Sequence, residues 1–443
     1  MSWFTESGKW MMAGARYQAR WDKSVSDTIL RDRKRLLILA MLIVPIFLIG
    51  YAFADEIGSN LPEMVGGKEA YGPAEYSLMI FGGSIAVGLI AGLISGCIGA
   101  GGGFVITPAL MSMGVKGIMA VGTDLFHIFA KAIMGSVIHR KLGNVCVKIA
   151  ITFVIGSLLG ATLGGMINRG LYNANPTLSD LFITIVYSVV LGFLGIYALM
   201  DYLKSRKSAA AQIRGGGHGS AAAEDELSGL PKKIQSIHIP PMIRFDTQVV
   251  PGGRRISWVF LVICGFVVGF AAAIMGVGGG FITFPAFVYT LGISAATTVG
   301  TDIFQIIFTG SWAAISQYAI YGFIFYTLAM GMLLGSLLGV QIGAMVTKVV
   351  TGSTIRGFFA VAVLGGFINR IFALPDKLRK MEWIDLSKSS THTIENIGIV
   401  VFFLVMGIFA FWVIGTFIRN IKTLKGAGPE EAPVALKQEE VRA

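Results

Sequence analysis

Ionisable residues are scarce within the apolar stretches of this chain, so the few that occur there carry its chemistry. Asp124, His127 and Lys131 stand at i, i+3 and i+7, which is one face of a helix. A cation so placed can attract an anion, and an acid beside an imidazole can hold or relay a proton. An Asp124–Lys131 pair that merely offsets the cost of burying charge satisfies the same spacing. A matching stretch later in the chain holds Asp302, Gln305 and Thr309. There the acid is kept and the basic groups are gone. Both acids end a Val-Gly-Thr-Asp tetrapeptide, at 121–124 and 299–302. If the acids open helices, Thr123 and Thr301 are N-caps and the carboxylates suit the helix dipole. In the functional alternative the acids are proton carriers and the threonines are hydroxyl donors to a ligand, with Thr107 nearby.

Two glycine runs offer a second kind of chemistry. Gly101, Gly102 and Gly103 precede Phe104, and Gly278, Gly279 and Gly280 precede Phe281. A helix start leaves backbone N–H groups unpaired and carries partial positive charge. Glycines remove the side chains that would hold a ligand away. Two such starts facing each other make a small oxyanion site. A single run of this kind reads as a tight turn, but two in matching positions favour the site.

These residues must be positioned in a membrane. Of 443 residues, 54% are hydrophobic and 14% charged, against roughly 25% charged in a soluble domain. The 58 glycines exceed the usual share roughly twofold. The net charge of +11 gathers in loops flanking apolar spans, which points to topology and anionic lipid, not nucleic acid. The three cysteines have no redox or zinc spacing. No metal-ligand cluster, nucleophile–base set or ATP-binding G-K-[ST] motif appears, so the expectation is a protein without metal or cofactor that is not an enzyme.

A block with Gly-x-Gly-Gly-Gly-Phe, a proline at 108 and Val-Gly-Thr-Asp recurs with a proline at 285, and Gly-Ser-Leu-Leu-Gly recurs at 156–160 and 335–339. This is a duplication. The expected fold is an all-α polytopic membrane protein. It has two inverted repeats of about five segments, each with a Gly/Pro-broken hairpin, and an extra transmembrane helix at each end. The expected organisation is a basic cytoplasmic head (1–35), a first helix and outside loop (36–77), a first repeat (78–202) and a cytoplasmic linker (203–255). A second repeat (256–372), a loop with the last helix (373–418) and a cytoplasmic tail (419–443) follow. The positive-inside rule sets both termini in the cytoplasm. Lys377, Arg379, Lys380 and Lys388 strain this scheme, which puts them outside. The Gly-x-x-x-G spacings read as helix contacts, and Asn168-Arg169 and Asn369-Arg370 as helix-end residues.

The duplicated glycine–proline block followed by Gly-Thr-Asp resembles the TauE/SafE, or sulfite exporter, family of membrane permeases, over about 78–372. The resemblance implies transport of sulfur-containing oxyanions and organosulfonates across a bacterial inner membrane. The family's motif falls on Gly99, Gly101, Gly102, Gly103 and Pro108, and on Gly276, Gly278, Gly279, Gly280 and Pro285. The long head and linker depart from a compact member.

The resulting expectation is a secondary transporter of small sulfur oxyanions, exporting by alternating access. Its partners are a small anionic substrate and the bilayer. The glycine amides, Thr107, Thr123, His127, Lys131, Thr301 and Gln305 would bind substrate, with Asp124 and Asp302 as proton carriers. The rival expectation is a cation- or proton-coupled carrier of another solute that uses those two acids.

Overall fold

The computed structural model describes residues 78–98, 102–141, 145–215, 230–246, 252–346, 349–350 and 352–420. The head 1–35, the helix and loop expected at 36–77, Gly99, Gly101 and the tail beyond 420 lie outside them. Among the described residues, the first repeat consists of α1 (Leu78–Ile98), α2 (Gly103–Ser112), α3 (Gly117–Lys141), α4 (Val147–Ala174) and α5 (Pro176–Gly215). A short helix α6 (Leu230–Ser236) and two strands, β1 (Met242–Phe245) and β2 (Arg254–Ser257), follow. The second repeat consists of α7 (Trp258–Met275), α8 (Gly280–Pro285), α9 (Ala295–Trp312), α10 (Tyr326–Val346) and α11 (Gly352–Lys380). The last helix is α12 (Lys388–Arg419).

Seven of the described helices are long and apolar enough to cross a membrane. Their outer surfaces carry Leu159, Phe193, Leu338 and Phe411, the last 82% exposed. A soluble protein could not leave such a surface in water, whereas lipid covers it at no cost. The chain is an all-helical polytopic membrane protein with one exception. β1 and β2 pair antiparallel, Met242 opposite Ser257 and Phe245 opposite Arg254. Apart from this small ribbon, whose first strand lies within the linker expected at 203–255, the expected all-α fold is what the structure shows. Ile243, Phe245 and Ile256 alternate onto one face and join a core with Ile149, Phe153, Leu261, Phe287, Leu291 and Ile293.

Two helix ends also differ from expectation. α5 continues to Gly215, past the end expected at 202, because Lys204–Gln212 is rich in strong helix formers. α11 continues to Lys380. Its last turn carries Lys377, Arg379 and Lys380, where cations suit the dipole. Asp376 takes ion pairs from Lys380 at 2.6 Å and Arg379 at 3.0 Å. Those basic residues therefore complete a helix end and say less about sidedness than loop charges would.

The helices pair across the repeats, and glycines set the pairing. Gly88, Gly92 and Gly96 of α1 lie against Met332, Ser336 and Val340 of α10, so the two run parallel. Gly156, Gly160 and Gly164 of α4 lie against Val262, Phe266 and Phe270 of α7, again parallel. Gly192 and Gly195 of α5 meet Phe367 and Leu364 of α11, an antiparallel pair. Gly122 of α3 meets Tyr318 just beyond α9, and Gly310 of α9 meets Phe129 of α3, also antiparallel. Exchanging the repeats leaves this set of pairings unchanged. Small residues allow backbone contact where lipid supplies no hydrophobic drive.

Candidate functional site

The two short helices lie where the repeats meet. α2 has 10 residues, about 15 Å, or half of a bilayer core about 30 Å thick. α8 reaches Pro285 and continues as a π-helical turn, Ala286–Leu291. Proline has no N–H for the ladder, which suits a change of helix type at that point. The Phe104 and Phe281 rings, each one residue into its helix, lie 5.6 Å apart. A Cβ added to Gly103 would lie 3.0 Å from the Val277 backbone. The two glycine runs therefore pack directly on each other. Gly102, Gly278 and Gly279 have φ of 76°, 65° and 97°, left-handed values that favour glycine.

The two kinds of backbone end at these breaks are treated differently. α7 stops at Met275 and leaves carbonyls without helical partners. Each receives a side-chain donor: Tyr318 Oη donates to Ala273 at 2.5 Å, Asn168 Nδ2 to Ile274 at 3.2 Å, and Tyr187 Oη to Met275. The amide ends have glycine at the cap positions, Gly102 and Gly279. Among the described residues neither cap position offers a side chain to α2 or α8, and Gly102, Gly103, Gly279 and Gly280 are all buried. By contrast, α7 and α9 carry ordinary serine caps, Ser257 and Ser294. Gly101 lies outside the described residues.

Around the crossing, α3 brings Asp124, His127 and Lys131 to one face as the spacing requires. Thr107 Oγ1 of α2 donates to Asp124 Oδ2 at 3.0 Å. His127 Nδ1 stands 3.8 Å from Asp124 Oδ1, and its Nε2 is 2.9 Å from Ser336 Oγ on α10. Lys131 Nζ donates to Ser95 Oγ of α1 at 2.9 Å. The equivalent face of α9 is a closed chain. Gln305 Nε2 donates to Asp302 Oδ1 at 2.9 Å, Thr309 Oγ1 to Gln305 Oε1 at 2.7 Å, and Thr309 Oγ1 lies 2.6 Å from Ser157 Oγ of α4.

The threonines of the duplicated tetrapeptide are not N-caps. α3 begins at Gly117 and α9 at Ala295, so Asp124 and Asp302 lie in the second turn. Thr123 Oγ1 instead accepts from the Phe325 N–H at 2.9 Å, and Thr301 Oγ1 accepts from the Cys146 N–H at 3.0 Å. Each therefore fastens the start of the other repeat's fourth helix. This use was invisible in sequence because it pairs residues more than 150 positions apart.

Asn369 and Arg370 are no helix-end residues either. Both are buried within α11. Arg370 donates to the Pro108 carbonyl at 3.3 Å and to Ser112 Oγ at 3.0 Å, and Asn369 Nδ2 donates to Ser112 Oγ at 3.0 Å. A cation at the C-terminal end of α2 stabilises the negative end of its dipole and locks the short helix in place. Asn168 lies within α4 in the same way. An Asn-Arg pair inside an apolar stretch was the available sequence signal. The serines of the repeated Gly-Ser-Leu-Leu-Gly, Ser157 and Ser336, were another.

Short helices broken by glycine at the meeting of two packed repeats, with a buried polar cluster beside them, define a membrane transporter. The profile of the family described as sulfite exporter TauE/SafE matches residues 84–369, and the chain belongs to that family. Two Bacillus subtilis (strain 168) proteins are similar to it. "Probable membrane transporter protein YunE" is 26% identical over 61% of this chain and 90% of its own length. "Probable membrane transporter protein YjnA" is 26% identical over 57% of this chain and 84% of its own. A further "probable membrane transporter protein", from Methanocaldococcus jannaschii, is 26% identical over 45% of this chain and 59% of its own length. No solved structure matches the chain.

Proposed function

We propose that this transporter carries small sulfur-containing oxyanions, such as sulfite or organosulfonates, out of the cell by alternating access of two inverted repeats. One observation carries the reading. At the breaks, side chains satisfy the carbonyl ends while the buried amide ends of α2 and α8 have no side-chain cap. A buried helix start with glycine at its cap offers backbone N–H groups and partial positive charge to a ligand, and that ligand is an anion. Lys131 adds a positive charge, with Thr107 one turn beyond Gly103 on the same face of α2. Gln305 supports the second half of the site, where Gly279 would lie 3.6 Å from its Nε2 if given a Cβ. The family description names a sulfite exporter, which agrees in charge and size.

The helix pairings support the inversion. α1 runs parallel to α10, α10 turns back into α11, α11 runs antiparallel to α5, and α4 turns into α5 and runs parallel to α7. Followed around, α1 and α7 point in opposite directions. Such repeats rock against each other about a fixed site. The loop charges favour both termini in the cytoplasm, and the family resemblance a bacterial inner membrane.

The test is a thermal-shift screen of the purified protein with sulfite, sulfate, thiosulfate, taurine, sulfoacetate, chloride, sodium and divalent metals. A bound ligand raises the midpoint by mass action. Stabilisation by a sulfur oxyanion is expected, reduced in Lys131→Ala and unchanged in Lys148→Ala, an exposed control. Stabilisation by sodium or a metal alone would favour the rival carrier, for which the acids of both repeats are the binding groups.

A further inference from the structure

Asp124 Oδ1 and His127 Nδ1 are buried, have no hydrogen-bond partner among the described residues, and face each other at 3.8 Å. The other ends of both side chains are occupied. Asp124 Oδ2 accepts from Thr107. Ser336 Oγ lies 3.2 Å from the Leu333 carbonyl, to which it can donate while accepting from His127 in the Nε2–H tautomer. That arrangement leaves Nδ1 as the bare lone pair of the neutral ring. Two acceptors thus confront each other in a dry site, which is repulsive and costly. One proton placed between them turns the repulsion into a hydrogen bond. A sodium ion would need several oxygen ligands, and this gap offers one.

We propose that the Asp124–His127 dyad is the proton-coupling site of this transporter, that it binds one proton together with the anion, and that Asp302 is not its counterpart. The proton adds to Asp124 Oδ1, and the new O–H donates to Nδ1 after a small side-chain rotation. Release breaks that O–H bond and returns the electron pair to the carboxylate. The net charge of the dyad moves between −1 and 0. Asp302 faces no second acceptor across a gap: Gln305 donates to its Oδ1, and Gln305 is in turn held by Thr309. Other groups facing the dyad are Lys131 on α3 and Tyr187 on α5, with Arg370 behind Tyr187. From α2 and α10, among the described residues, the hydroxyls of Thr107 and Ser336 face it. Coupling follows from place. Thr107 ties the acid to the helix whose start would hold the anion, and Ser336 ties the imidazole to the other repeat. A charged dyad repels an anion at the start of α2, and a neutral one admits it.

This inference rests on the oxyanion reading, so the experiment has two arms. The first is infrared difference spectroscopy of the ligand-free protein between about pH 5 and about pH 8. A carboxyl C=O band that titrates is expected in the wild type and in Asp302→Asn. It should vanish in Asp124→Asn and in His127→Gln, the second of which copies the Asp–Gln pair already folded in the other repeat. A band that survives in both dyad variants, or that is absent from the wild type, overturns the proposal. The second arm measures binding of methanesulfonate, which stays ionised throughout. Affinity should strengthen on acidification by up to about tenfold per pH unit, and this dependence should disappear in His127→Gln. PH-independent binding in the wild type would sink the dyad while leaving the oxyanion reading standing. Absence of all anion binding alongside the titrating band would do the reverse.

Discussion

The α4–α7 contact offers a graded test of how the repeats are held together. Three glycines on α4 have different surroundings. Gly170 has nothing within 4 Å of an added Cβ. At Gly164 the Cβ would lie 2.6 Å from the Phe270 carbonyl oxygen and 3.2 Å from Ala273 Cβ. At Gly156 it would overlap the Val262 carbonyl and sit 2.8 Å from the Phe266 nitrogen. An ordinary contact begins near 3.4 Å, so Gly164→Ala forces about 0.8 Å of separation and Gly156→Ala more. Backbone atoms cannot swing aside, so the helices must part along their length and lose dispersion over the whole seam. Overpacking of this kind costs typically 1–3 kcal/mol and occasionally more. Gly164→Ala should fall within that range and Gly156→Ala at or above its top. Gly170→Ala should be neutral or stabilising by up to about 1 kcal/mol, since alanine is the better helix former. Thermal unfolding in one detergent, followed by tryptophan fluorescence, measures the order. Equal midpoints for Gly156→Ala and Gly170→Ala would refute the close approach of α4 and α7.

Two further substitutions probe the polar fastenings. Thr123→Val and Thr301→Val should each destabilise by about 1–3 kcal/mol, because each strands a backbone N–H of the opposite repeat. Effects on one of the pair alone, in the same unfolding assay, would contradict their reciprocal role. Arg370→Met should lower the anion-induced midpoint shift as well as basal stability, since the guanidinium anchors the C-terminal end of α2 without standing at its start. A variant that binds anion normally would remove Arg370 from the support of the site.

Much of this protein can be derived from local composition and order. A chain with 14% charged residues cannot fold in water with so much apolar surface, and that arithmetic needs no coordinates. The duplication is equally legible, because repeated motifs survive as text. So are the breaks, since three consecutive glycines interrupt a membrane helix wherever it lies. The face formed by Asp124, His127 and Lys131 follows from helical period alone.

What the tertiary structure decided is partnership between distant residues. The threonines beside the two acids looked like caps, yet they receive amides from helices more than 150 positions away. Asn369 and Arg370 looked terminal, yet they lie buried against α2. Ile243 and Phe245, within the expected linker 203–255, close a core with α4, α7 and the turn after α8. The sequence already set Asp124 beside basic groups and Asp302 beside Gln305, but which of their oxygens are satisfied emerged only on folding. Hydrogen bonds and packing reach across space, while sequence pattern records only what one helix does with itself.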